Sequence, residues 1–162
     1  MNSMTLPLKS VANSFLQADF RDGFASISPM KIQKLVYLAH GWNLAINDEP
    51  LISEKFEAWP YGPVEEELYH IFKQYGNGPI RDYAKSWAGN EEKAFVVSDA
   101  NSGFYDIFNR VMQKYGHFTA LQLSALTHQP GTPWSETRAN GWPEIPDDMI
   151  RDHFRELAAH GG

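Results

Sequence analysis

The stretch from Ser28 to Asp48, SPMKIQKLVYLAHGWNLAIND, constrains the fold more than any other. Ser28 can cap a helix, and Pro29 suits the first helical position. From Met30 to Ile46, residues Ile32, Leu35, Val36, Ala39 and Ile46 mark one apolar stripe. Tyr37, Leu38, Trp42, Leu44 and Ala45 make much of the remaining circumference apolar too. A helix without a polar face has to be surrounded by other elements, so the chain must build its core around this one. Gly41 in its middle costs about 1 kcal/mol relative to alanine. The expected return is the close approach of another backbone.

The segments that can surround this helix carry helical stripes of their own. Leu8, Val11, Ala12 and Phe15 predict a first helix that ends at Gly23. Val64, Leu68, Ile71, Phe72 and Tyr75 predict a helix opened by Pro63 and stopped by Gly76. Phe104, Ile107, Phe108, Val111 and Tyr115 give another. Thr119 can cap a short helix reaching about His128, and Thr132-Pro133 can start a further turn or two. Ile150, Phe154, Leu157 and Ala158 form the stripe of a last helix, with Asp147 and Asp148 in its first turn. Glu54 to Trp59 alternates as a short strand, and Lys93 to Ser98 is β-prone enough to pair with it. The expected fold is mainly α: a single compact domain over residues 1–162 around the buried central helix at about 30–46. It carries a small β element near residues 54–59, which 93–98 can join. A chain of 162 residues fits one such domain.

Charge and composition narrow the function. The net charge is −6 and no Lys/Arg-rich tract offsets it, which argues against a nucleic-acid partner. There is no cysteine, so disulfides, thiolate chemistry and cysteine-based zinc sites are excluded. The N-terminus MNSMTLPLKS lacks the apolar centre of a signal peptide, and no apolar run has the length of a membrane span. The expected location is cytoplasmic. Aromatic residues reach 14%, enough to fill a core and still present rings to a partner.

A search for chemistry returns no catalytic, metal or cofactor-binding set. Phosphate-binding glycine loops, a nucleophile elbow and HExxH are all absent. Glu66 and His70 stand one helical turn apart, but a metal site needs at least a third ligand. The plainer reading is a solvated pair. Glu65 to Glu67 suit the first turn of the helix opened by Pro63, where acidic side chains favour the unpaired N–H groups. Glu65 and Glu66 fall off the apolar stripe and are expected to face solvent. His128 near a helix end can bond a backbone carbonyl. A hydrolase built on Glu66, His70 or His128 is the least supported reading. Trp59, Tyr61, Trp134 and Trp142 sit near turns, where such rings are either core edge or interface.

Four segments in order resemble the Panacea antitoxin domain, also called SocA-like or phage-associated GepA-like. Gln33-Lys34-Leu35-Val36-Tyr37-Leu38-Ala39-His40-Gly41-Trp42 is similar to its first signature. Phe56-Glu57-Ala58-Trp59-Pro60-Tyr61-Gly62-Pro63-Val64 is similar to its second. Leu126-Thr127-His128 followed by Pro133-Trp134 resembles its third, and Ile145 to Phe154 resembles its usual ending. The resemblance implies a bacterial or prophage antitoxin that neutralises a cognate toxin, encoded by the adjacent gene, through protein–protein contact. It implies no enzymatic site and no cofactor. A second implied role is an adaptor that delivers the bound toxin to a protease. The expected contact residues are Trp59, Tyr61, Glu65 and Glu66.

Overall fold

The computed structural model describes residues 5–161. Seven helices and two small hairpins follow one another among them. They are α1 (Leu8–Arg21), α2 (Pro29–Asn47), β1 (Glu57–Trp59), β2 (Gly62–Val64) and α3 (Glu66–Phe72), which tightens into a 3-10 turn over Lys73–Tyr75. Then come β3 (Ser86–Ala88), β4 (Glu91–Lys93), α4 (Ser102–Tyr115), α5 (Ala120–Thr127), α6 (Pro133–Asn140) and α7 (Asp147–Ala159).

Helix α2 is the axis of the molecule, as its sequence requires. Every residue from Lys31 to Leu44 is buried, and α1, α3, α4, α5, α7 and β2 pack around it. Ser28 caps it by accepting from the Lys31 N–H at 3.2 Å. Asp48, with φ +58°, ends it in the left-handed conformation. The close approach at Gly41 is made by a ring rather than by a backbone. A Cβ placed there would stand 2.3 Å from Phe154 Cε2 on α7. Phe154 meets Trp42 edge-on at 5.2 Å and Tyr37 at 6.0 Å. Gly41, Tyr37 and Trp42 therefore form the seat of α7 on α2.

The β structure differs from the expectation. The Glu57 segment does not pair with residues 93–98. It turns on itself, with Glu57 opposite Val64, Ala58 opposite Pro63 and Trp59 opposite Gly62. Strands β3 and β4 make a separate hairpin. The β-prone residues 94–98 are held by side chains from α1 and α4 instead of by a strand. Asn13 Nδ2 donates to the Phe95 carbonyl at 2.9 Å, Ser14 Oγ accepts from the Val97 N–H at 3.0 Å, and the Tyr105 hydroxyl donates to the Val97 carbonyl at 2.7 Å. Side-chain partners satisfy the backbone here, which is all that burial demands.

Pro63 does not open a helix either. It lies in β2, and α3 begins three residues later. The cause lies 32 positions away: the Gln33 amide clamps the backbone of Glu65. Its Nε2 donates to the Glu65 carbonyl at 2.8 Å and its Oε1 accepts from the Glu65 N–H at 2.9 Å. This pair of bonds imitates a neighbouring strand and holds Glu65 extended, at φ −97° and ψ 124°. No helix of the described residues is long and apolar enough to cross a membrane.

Candidate functional site: the aromatic turn

Side chains hold five of the backbone carbonyls between Ala58 and Glu65. Arg138 Nη1 on α6 donates to the Ala58 carbonyl at 2.8 Å. Trp134 Nε1, also on α6, donates to the Trp59 carbonyl at 2.6 Å. Ser124 Oγ on α5 donates to the Tyr61 carbonyl at 2.6 Å. Lys34 Nζ on α2 donates to the Pro63 carbonyl at 2.9 Å, and Gln33 completes the row at Glu65. Backbone that would be free in an isolated hairpin is thereby fixed by three helices.

Lys34 is the least expected of these anchors. It is 1% exposed and forms no ion pair among the described residues. Burial pushes its pKa down to about 7, because a buried ammonium without a counter-charge is poorly solvated. Thr127 lies beside it. A Cβ at Gly62 would stand 3.1 Å from both Lys34 Cε and Thr127 Oγ1, and the Gly62 φ is +114°. Glycine is needed there for both reasons.

His128 finishes the support. Its Nδ1 faces the Ser124 carbonyl, and its ring meets Trp134 at 5.2 Å. The Arg138 guanidinium covers the Trp134 ring at 5.3 Å. Ser124 Oγ and His128 Nδ1 stand 3.4 Å apart, yet each has another partner. The serine proton goes to the Tyr61 carbonyl, and Nδ1 is engaged by a carbonyl one turn back. Thr132 caps α6 by accepting from the Ser135 N–H, with Pro133 at the first position of that helix.

The turn presents rings outward. Tyr61 at its tip is 67% exposed. Trp59 meets Tyr69 of α3 at 5.0 Å with the rings tilted by 58°, and its Nε1 donates to Glu57 Oε1 at 2.7 Å. Tyr69 is itself exposed. Glu66 and Glu67 stand exposed on the first turn of α3. Glu66 and His70 form an open pair at 3.6 Å, the plain reading of that spacing. Among the described residues no group of three or more His, Cys, Asp or Glu could hold a metal ion.

Glu65 departs from expectation. It does not face solvent: it is 6% exposed and serves as the N-cap of α3, accepting from the Leu68 N–H at 2.8 Å. Burial raises its pKa above the usual carboxylate value, against the opposing pull of that N–H. Its carboxylate is committed to the cap of α3.

A second polar cluster was not anticipated from the sequence. His40, fully buried on α2, accepts from the Leu51 N–H at Nδ1 and donates from Nε2 to Asp147 Oδ1 at 3.0 Å. Lys55 reaches the other Asp147 oxygen at 3.0 Å. Burial alone would raise the Asp147 pKa; the hydrogen bond from His40 and the hydrogen bond and charge of Lys55 outweigh it, and the carboxyl sits below its ordinary value. A lone histidine inside a helix apolar all round was the signal, since such a group must find partners.

The segments that resemble family signatures thus converge. Gln33, Lys34, Thr127, His128 and Trp134 gather under one turn, while Tyr37, Gly41 and Trp42 seat α7. The sequence model of the antitoxin SocA-like, Panacea domain family matches residues 32–135, and the chain belongs to that family. It is 34% identical over 139 residues to Antitoxin SocA of Caulobacter vibrioides (strain NA1000 / CB15N), a match covering 80% of this chain and 72% of that protein. No solved structure matches the chain.

Proposed function

We propose that the protein is an antitoxin that binds a cognate toxin directly, and that the aromatic turn is its contact face. The observation that carries this reading is the combination of exposure and rigidity at Tyr61. Its ring is 67% exposed, yet the carbonyls on both sides of it are held by α5 and α6. A tyrosine presented on fixed backbone loses little conformational entropy on binding, and Tyr and Trp dominate interface hot spots. Trp59, Tyr69 and Glu66 extend the face; Glu65 is withdrawn from it because it is buried. The exposed acids Glu66 and Glu67 favour a partner with cations opposite them.

The test is co-expression with the neighbouring reading frame. The neighbour is expected to arrest growth alone and to be tolerated together with this protein. Tyr61→Ala is expected to remove that protection while remaining folded. A harmless neighbour, or full protection by folded Tyr61→Ala together with Trp59→Ala, contradicts the reading. The partner's half-life separates two modes of action. An unchanged half-life marks sequestration, and a shortened one marks delivery to a protease.

A further inference from the structure

The middle of α2, the end of α4, α5, the start of α6 and α7 line a cavity of about 320 Å³ that opens to the surface. That is at the small end of the range for small-molecule sites, roughly 300–1,000 Å³. Leu38, Phe118, Leu126, Pro133 and Leu157 supply much of its apolar wall. Its polar lining comprises Tyr37, Tyr115, Lys114, Thr127, Gln129, Thr132 and His153. Tyr37 is 2% exposed and its hydroxyl makes no hydrogen bond among the described residues. That hydroxyl is not sealed in the core, because the residue lines the cavity. Tyr115 also lines it; its oxygen accepts from Trp42 Nε1 at 3.1 Å, and its own proton goes to no acceptor. Burial raises the pKa of both phenols, so both protons are present at neutral pH.

Lys114 stands at the exposed rim, its ammonium 5.7 Å from the Tyr115 ring centroid. The hydroxyls of Thr127 and Thr132 are already spent on the Leu123 and Gln129 carbonyls. His153 on the lining is pushed below its ordinary pKa by burial, against the pull of exposed Glu156, and is mainly neutral at pH 7. Among the described residues no aspartate or glutamate lines the cavity, although the chain has 20 acidic residues and 14 basic ones. An occupant that presents an acceptor would take the place of solvent at the Tyr37 hydroxyl and keep it hydrogen-bonded.

We propose that this cavity binds a small carboxylate with an apolar body. The carboxylate accepts from the Tyr37 and Tyr115 hydroxyls beside Lys114, and the body lies against Phe118, Leu126 and Leu157. This site is separate from the aromatic turn, and the inference does not rest on the proposed antitoxin role.

Calorimetric titration of the whole chain with phenylacetate and with octanoate tests it, against phenylacetamide and octanamide as neutral counterparts. At least one carboxylate is expected to bind one-to-one and its amide at least about tenfold more weakly, the scale of a hydrogen bond to a charged group. Tyr37→Phe is expected to weaken the carboxylate about tenfold while the fold, read by circular dichroism, is kept. Leu126→Trp, a change at a half-open rim position, is expected to fill the cavity and abolish binding. The inference is overturned if neither carboxylate binds, if the amides bind as well as the acids, or if folded Leu126→Trp binds unchanged.

Discussion

The two hairpins of this chain are nearly the same length and have opposite settings. Both pair three residues with three. In β1–β2, carbonyls from Ala58 to Glu65 are held by Arg138, Trp134, Ser124, Lys34 and Gln33. In β3–β4 side chains hold only the flanks, Asn13 at the Ala84 and Phe95 carbonyls and Lys9 at the Lys85 carbonyl; among the described residues none holds a carbonyl within the strands, which are exposed or half-exposed, and Trp87 is 71% exposed. A two-stranded hairpin is marginal by itself in water. The first is therefore rigid because helices hold it, and the second depends on its own pairing. Each displays an exposed aromatic residue, Tyr61 or Trp87. The difference separates the two rings physically: Tyr61 is exposed on backbone already fixed, which lowers the entropy lost on binding, and Trp87 is not.

Breaking the anchors should separate the two hairpins. The largest effect is expected from Gln33→Ala. It leaves the N–H of buried Glu65 without a partner, while the carbonyl keeps its bond from the Tyr69 N–H, so a loss of about 1–3 kcal/mol is expected in denaturant unfolding. Trp134→Phe keeps most of the ring and removes one bond, to the Trp59 carbonyl; about 1–2 kcal/mol should be lost. Hydrogen exchange should then rise across residues 57–65 and stay unchanged across 86–93.

The buried lysine gives a pH signature specific to the first hairpin. Lys34 has a folded pKa of about 7 against an ordinary value of 10.5. Between those values the unfolded chain binds a proton that the folded chain does not, so stability should rise with pH across that window. Below about pH 7 both states are protonated and the full desolvation penalty is present. The rise should be missing in Lys34→Met, measured by urea unfolding from pH 6.5 to 9.5. Parallel slopes for the two proteins would mean that the ammonium is better solvated than its burial implies. The smallest effect belongs to the second hairpin: Trp87→Ala should change stability by less than about 0.5 kcal/mol and leave toxin neutralisation intact.

Periodicity made the helices legible, because the stripe of each helix is local information. The all-apolar circumference of Met30–Ile46 placed α2 at the centre correctly, and the Thr119 cap was found with its reciprocal bond to Gln122. What failed was everything fixed by long-range side-chain-to-backbone bonds. Pro63 followed by three glutamates satisfies the local rules for a helix start. Proline lacks an N–H and fits an edge strand equally well, and only Gln33 decides between them. The same clamp carries Glu65 from the expected solvent face into the cap. The strand at 93–98 failed for a related reason: side chains of α1 and α4 took the place of a strand partner. For the candidate site, the rings of Trp59 and Tyr61 were visible in the sequence, whereas their neighbour Tyr69 is brought to them only by the fold.

The central claim is that α2, α5 and α6 hold one turn so that Tyr61 meets the toxin. Its most direct test is the affinity of the purified partner for Tyr61→Ala and Trp87→Ala, with both variants checked for an unchanged unfolding midpoint. The account predicts at least about a tenfold weaker complex for Tyr61→Ala, the scale of an interface hot spot, and an unchanged one for Trp87→Ala. Equal affinity for Tyr61→Ala and the parent chain, or a loss confined to Trp87→Ala, would contradict it.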